Sequence, residues 1–133
     1  MSNKAQEFLD QMAATANAFN LELHMDLISK EVSVFGVPGF EVIGYQDWYN
    51  QCEHEFANGL LKRVSYHGLN VLAETPERIM FKSIETVEGS DDSINSHGVE
   101  FIITKEEDGN WRVSQERLLP EDELESDRRR GVL

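Results

Sequence analysis

Helical hydrophobic spacing dominates this chain up to Asn58, and two-residue alternation replaces it beyond Gly59. A chain ordered in this way must pack a few helices against a sheet of long strands, which makes it α+β. Ala5, Phe8, Leu9, Met12, Ala13, Ala16 and Phe19 recur at helical steps, predicting a helix over residues 4–20 capped by Ser2 or Asn3. Asn20 ends it, and a shorter helical turn follows through Leu23, Asp26, Leu27 and Ile28. Residues 31–35 alternate, which predicts a strand closed by a turn at Gly36, Pro38 and Gly39. Tyr45, Trp48, Tyr49, Cys52 and Phe56 then share one stripe of a second long helix, residues 44–58. Asp47 lies in its first turn, and Gly59 stands where a left-handed terminal residue is wanted.

Beyond Gly59 the pattern predicts long antiparallel strands over residues 60–74, 77–88, 97–105 and 111–119. They are joined by Thr75-Pro76, by a polar loop from Gly89, and by the hairpin turn Glu107-Asp-Gly-Asn110. Strands this long beside so few helices must twist and curl around them, with Gly68 as the natural bulge. The expected architecture is an α+β cone: helices in the hollow of a strongly curved, mostly antiparallel sheet, with room at the mouth for a small molecule. Pro120 ends the last strand. Residues 1–119 are therefore expected to form one domain and 120–133 a charged, mobile tail.

Charge narrows the partners. Twelve Lys and Arg against 25 Asp and Glu leave a net charge of −13. Nucleic acid and anionic membranes are excluded, because such surfaces need clustered cations. The one basic run, Arg128-Arg129-Arg130, follows a run of carboxylates and reads as self-paired. No apolar stretch approaches the roughly 20 residues of a membrane span, and the start lacks an apolar signal core. With Cys52 as its lone cysteine, the chain is expected to be cytoplasmic.

For chemistry, His97 carries the most information. It shares a strand face with Val99, Phe101 and Ile103, so its imidazole either sits at the rim of an apolar wall or ends a loop in solvent. The same alternation puts Trp111 and Val113 inward and continues that face through Gln115 and Arg117. His67 precedes Gly68, where a bulge leaves its direction open; His54 lies opposite the aromatic stripe; His24 is near enough to Asp26 for a surface pair. The four histidines lack ligand spacing and one thiol builds no metal site, so no metal is expected. No glycine-rich phosphate loop or nucleophile elbow is present, so no cofactor is expected either.

The helix ending in Phe19-Asn20, the segment from Asp26 to Phe35, the Gly44-Tyr-Gln-Asp-Trp48 helix start and the closing Asp108-Gly-Asn-Trp-Arg-Val113 together resemble the NTF2-like superfamily. That group includes the SnoaL-like cyclases and ketosteroid isomerase. The resemblance spans roughly residues 5–119 and implies the cone fold. The isomerase branch uses an aspartate base, a tyrosine and a protonated aspartate. At the positions the resemblance implies for base and tyrosine stand Phe35-Gly36 and Met12, so isomerase chemistry of that kind is not expected. The expectation is instead a small hydrophobic ligand held by Met12, Trp48, Tyr49, Tyr66, Phe101 and Trp111, with His97 as proton shuttle and His67 or Tyr66 assisting. The alternative is a non-catalytic dimeric assembly or protein-interaction module. The resemblance implies a homodimer through the outer sheet face, and Lys82, Ile84 and Thr86 alternate with Phe81, Ser83 and Glu85, so both faces of that strand carry some apolar surface.

Overall fold

The computed structural model describes residues 3–133. Three helices and a strand come first: α1 (Lys4–Asn17), α2 (Leu21–Met25), β1 (Ile28–Phe35) and α3 (Tyr45–Ala57). The long strands β2 (Leu61–Thr75), β3 (Arg78–Gly89), β4 (Ile94–Lys105) and β5 (Trp111–Leu118) follow, and α4 (Glu121–Arg129) closes the chain. Ser2 lies outside the described residues. Asn3 occupies the N-cap of α1, and its side chain makes no capping bond there.

The strands form one open sheet in the order β1-β5-β4-β3-β2, antiparallel except for the β1–β5 pair. Its inner face packs on α1. Ala5, Phe8, Leu9, Met12 and Ala16 are buried against Phe81, Val99, Phe101, Ile103 and Val113. Phe81 and Phe101 stack with ring centroids 5.7 Å apart, and each buried phenyl ring contributes about 1.5–3 kcal/mol. By contrast α3 stands off the sheet. Only Cys52 of its stripe is fully buried, while Tyr45, Trp48, Tyr49 and Phe56 are half-buried at the edge of the core.

Two bulges shape the inner wall. Gly68 (φ +76°) sits in a register break of β2 between His67 and Asn70, and the Ser83 hydroxyl donates to its carbonyl at 2.7 Å. The second is at Ser114. Ile103 faces Val113, but its neighbour Ile102 faces Gln115, so β5 carries one extra residue. A one-residue insertion reverses every side chain after it. Glu116 and Leu118 therefore point inward, opposite Phe101 and Val99, and Gln115 and Arg117 point outward. This corrects the simple alternation expected from Trp111 onward.

Two further expectations change. Phe35, expected deep in the hollow, is exposed at the end of β1, and Val34 is the buried residue there. The segment after Pro120 is not a loose tail but a helix across the outer sheet face. Lys82 on β3 pairs with Glu123 at 2.9 Å and with Asp127 at 2.8 Å, and Arg117 on β5 bonds both Glu100 and Glu123. Leu133 ends the chain beside Gly68. Its charges look solvated in linear sequence because their partners lie on strands far away in the chain. The face expected to meet a second copy thus carries α4 of its own chain.

Candidate active site

Because α3 stands away from the sheet, a cavity of about 640 Å³ opens between them, within the range of small-molecule sites. Met12 and Ala16 of α1, Val34 of β1, and Trp48 and Phe56 of α3 supply apolar walls. Val37, Phe40 and Ile43 of the β1–α3 loop also line it. Gly36 makes that loop possible: its φ is +88°, and a Cβ there would lie 2.6 Å from the Leu118 carbonyl oxygen.

Polar groups enter from three adjacent strands in one row. Tyr66 faces Glu85 across the β2–β3 ladder, and Glu85 faces His97 across the β3–β4 ladder. The Tyr66 hydroxyl donates to Glu85 Oε2 at 2.7 Å, and His97 Nε2 lies 2.9 Å from Glu85 Oε1. One carboxylate thus holds a phenol and an imidazole. Its hydrogen bond to His97, opposed by partial burial, raises the imidazole pKa above its ordinary value. Burial, then the nearby Glu85 charge and hydrogen bond, pushes the Tyr66 phenol well up, so it stays a donor. The Glu85 bond takes one ring nitrogen of His97 and leaves Nδ1 for a ligand.

Glu116 is the residue that sequence reading missed. It is 7% exposed, lines the cavity, and makes no hydrogen bond or ion pair among the described residues. Burial, reinforced by the Glu85 charge, raises its pKa well above the ordinary value, which favours the protonated form. The missed signal was the register break at Ser114, which no local pattern announces. Glu85 was legible in part, since it alternates with Phe81 and Ser83 on the inner face.

His24 also lines this space, but it is buried and bonds Thr15 Oγ1 at 2.8 Å instead of pairing with Asp26. Burial pushes its pKa down to about 4, so it is neutral. Asp26 instead accepts from Arg112, which Glu106 and Asp108 also hold.

Of the residues named from sequence, Met12, Trp48, Tyr66 and His97 meet at the cavity. Phe101 lies in the core behind it, edge-on to Tyr66 with centroids 6.3 Å apart. Trp111 pairs with Lys105 at the far end of the sheet, and Tyr49 lines a separate polar cleft beside Arg112. His67 faces outward: it pairs with the outward Ile84 and is exposed, with its ring near Ser65. It takes no part in the site. Among the described residues no cluster suited to a metal ion occurs, and no helix is long and apolar enough to cross a membrane.

The Cys52 thiol borders the cavity, yet burial and the neighbouring Glu55 push its pKa up to about 12. With so little thiolate, it is expected to react with an aromatic disulfide reagent at pH 8 more than about 100-fold slower than free cysteine. Full reaction should follow on adding denaturant. Rapid native labelling would show that the thiol is ionised.

No protein-family profile and no curated protein matches this sequence, but solved structures do. A scytalone dehydratase-like protein from Novosphingobium aromaticivorans superposes with a TM-score of 0.70 at 12% identity, over 86% of this chain and 79% of that one. A ketosteroid isomerase-like protein from Shewanella frigidimarina gives 0.65 at 15% identity, over 86% and 94%. An NTF2-like protein of unknown function from Pseudomonas putida gives 0.69 at 10% identity, over 87% and 83%. The fold is NTF2-like. At such identities the NTF2-like scaffold is what these proteins share, and chemistry must be argued from the residues of this cavity.

Proposed function

We propose that the protein binds a small hydrophobic carbonyl compound in the cavity and moves a proton on it without a cofactor, as an isomerase, cyclase or dehydratase. The observation that carries this reading is the Tyr66–Glu85–His97 row, a hydrogen-bonded carboxylate–imidazole pair in an apolar wall. A base needs an orienting partner, and Glu85 provides one for His97 while its hydrogen bond also raises the imidazole pKa. The scytalone dehydratase-like and ketosteroid isomerase-like neighbours share this scaffold and agree with the reading.

In the proposed step, neutral His97 takes a proton from the carbon beside the ligand carbonyl through Nδ1. The C–H bond breaks, an N–H bond forms, and the electron pair moves onto the carbonyl oxygen as an enolate. Glu85 stabilises the imidazolium so formed. Asn50 lines the same cavity, and with its amide oxygen accepting from Gln46 its NH2 group is a donor for the enolate oxygen. The imidazolium then returns its proton to another carbon, which completes an isomerisation, or to a leaving hydroxyl, which releases water.

The test is turnover of hydrophobic β-hydroxy ketones and β,γ-unsaturated ketones, followed by the absorbance of the conjugated enone formed. Wild-type protein is expected to convert a member of this panel. His97→Ala is expected to be at least about 100-fold slower with ligand affinity kept. Undiminished turnover in the variant, or none in the wild type, overturns the reading.

A further inference from the structure

We propose that the ligand of this cavity carries a basic nitrogen and binds as a hydrophobic ammonium ion against Glu116. The proposal rests on the preceding reading of the cavity as the ligand site and adds the charge of what occupies it. The charge inventory is one-sided. Asp47, Glu55, Glu85 and Glu116 line the space, and among the described residues no Lys or Arg does. Glu85 is already engaged by Tyr66 and His97. Glu116 is engaged by nothing, although it is more than nine-tenths buried and borders the cavity.

Consider each class of occupant. An anion would add negative charge to a space whose one candidate cation, the His97 imidazole, is already held by Glu85. A neutral ligand would satisfy Glu116 with an ordinary hydrogen bond at most. An ammonium group gives it a charge-assisted bond in a low-dielectric setting, roughly twice as strong. The apolar body of such a ligand fits the same walls, and Trp48, Phe56 and Tyr66, residue types whose rings attract cations, are among the lining. The carbonyl compound of the preceding section is then one that bears an amine.

Binding has a proton balance that can be read directly. With the site empty, burial and the Glu85 charge favour the protonated form of Glu116. An ammonium ion that enters ionises it, and that proton leaves to solvent. The other titratable groups lining the cavity are Tyr66 on β2, Glu85 on β3, His97 on β4, Asp47, Cys52 and Glu55 on α3 and His24 on α2.

The experiment is calorimetric titration of the whole chain at pH 7 with phenylbutylamine, phenylbutanol and phenylbutyrate, each in two buffers of different ionisation enthalpy. The amine is expected to bind at least about tenfold more tightly than the alcohol, with about one proton released per amine bound. Phenylbutyrate is expected not to bind. Glu116→Gln should abolish both the amine preference and the proton release while keeping the alcohol affinity, and Glu116→Asp should restore part of both. The inference is overturned if alcohol and amine bind equally, or if Glu116→Gln keeps the amine preference. The wild-type measurement alone decides this should the variants fail to fold. If none of the three binds, the preceding reading of the cavity fails with it, an outcome distinct from alcohol binding alone.

Discussion

Replacing Asp127 with alanine is expected to destabilise the protein by about 1.5–3 kcal/mol, the usual worth of a hydrogen bond to a charged group. Asp127 is only 1% exposed. It accepts from Lys82 Nζ and is also paired with Arg130, while Lys82 is itself mostly buried beneath α4. Loss of the carboxylate leaves Lys82 with Glu123 alone and removes the deepest anchor of the helix. Urea unfolding should register the loss, and amide exchange in residues 121–129 should rise first because α4 is held chiefly by these pairs. The double variant Lys82→Met with Asp127→Leu should recover most of the loss, since matched apolar residues avoid the desolvation penalty. Stability unchanged in Asp127→Ala would mean that α4 rests on the sheet without contributing to it.

The same helix gives the fold a pH dependence of known sign. The hydrogen bond from Arg117, followed by that from Lys82, pulls the Glu123 pKa from 4.5 down to about 2. A carboxyl with a depressed folded-state pKa contributes stability above its unfolded pKa and loses it as pH falls through the folded one. The contribution of α4 should therefore fade between about pH 4.5 and 2.

His24 acts earlier in an acid titration. Its pKa is lowered from 6.5 to about 4 by burial, against a weaker pull from Glu85. The unfolded chain binds a proton there that the folded chain refuses, so stability falls as pH drops from 6.5 towards 4. That displacement corresponds to about 3 kcal/mol. Two groups in the same cavity run the other way. His97, raised by its bond to Glu85, stabilises below 6.5 and loses that contribution as pH rises through its folded pKa. Glu116, raised by burial, makes the fold more costly as pH climbs above the ordinary carboxylate range. The difference between wild type and His24→Leu isolates the His24 contribution. Thr15 also donates to the Gln11 carbonyl at 2.9 Å, so the substitution strands no hydroxyl. Urea midpoints at pH 7 and pH 4 should show the variant losing about 3 kcal/mol less than wild type. Parallel losses would place the His24 ring in contact with water.

The sequence by itself determined the order of elements through the last strand, the period of each, and the glycine positions at 36, 59, 68 and 109, all of which adopt positive φ. Those features are local: they follow from side-chain spacing and from backbone conformations that only glycine adopts cheaply. The face that His97 shares with Val99, Phe101 and Ile103 was local too, whereas tertiary structure decided that its ring meets Glu85 at the cavity and not solvent. Tertiary structure decided the rest. An extra residue at Ser114 turned Glu116 into the cavity and Arg117 out of it, a choice set by which carbonyl of β4 each amide meets. His24 became a buried neutral group because α1 and α3 close over it. The acidic segment after Pro120 became a docked helix because Lys82 and Arg117 wait on strands remote in the chain. Charge pairing and burial depend on neighbours brought together in space, and a linear pattern does not contain them.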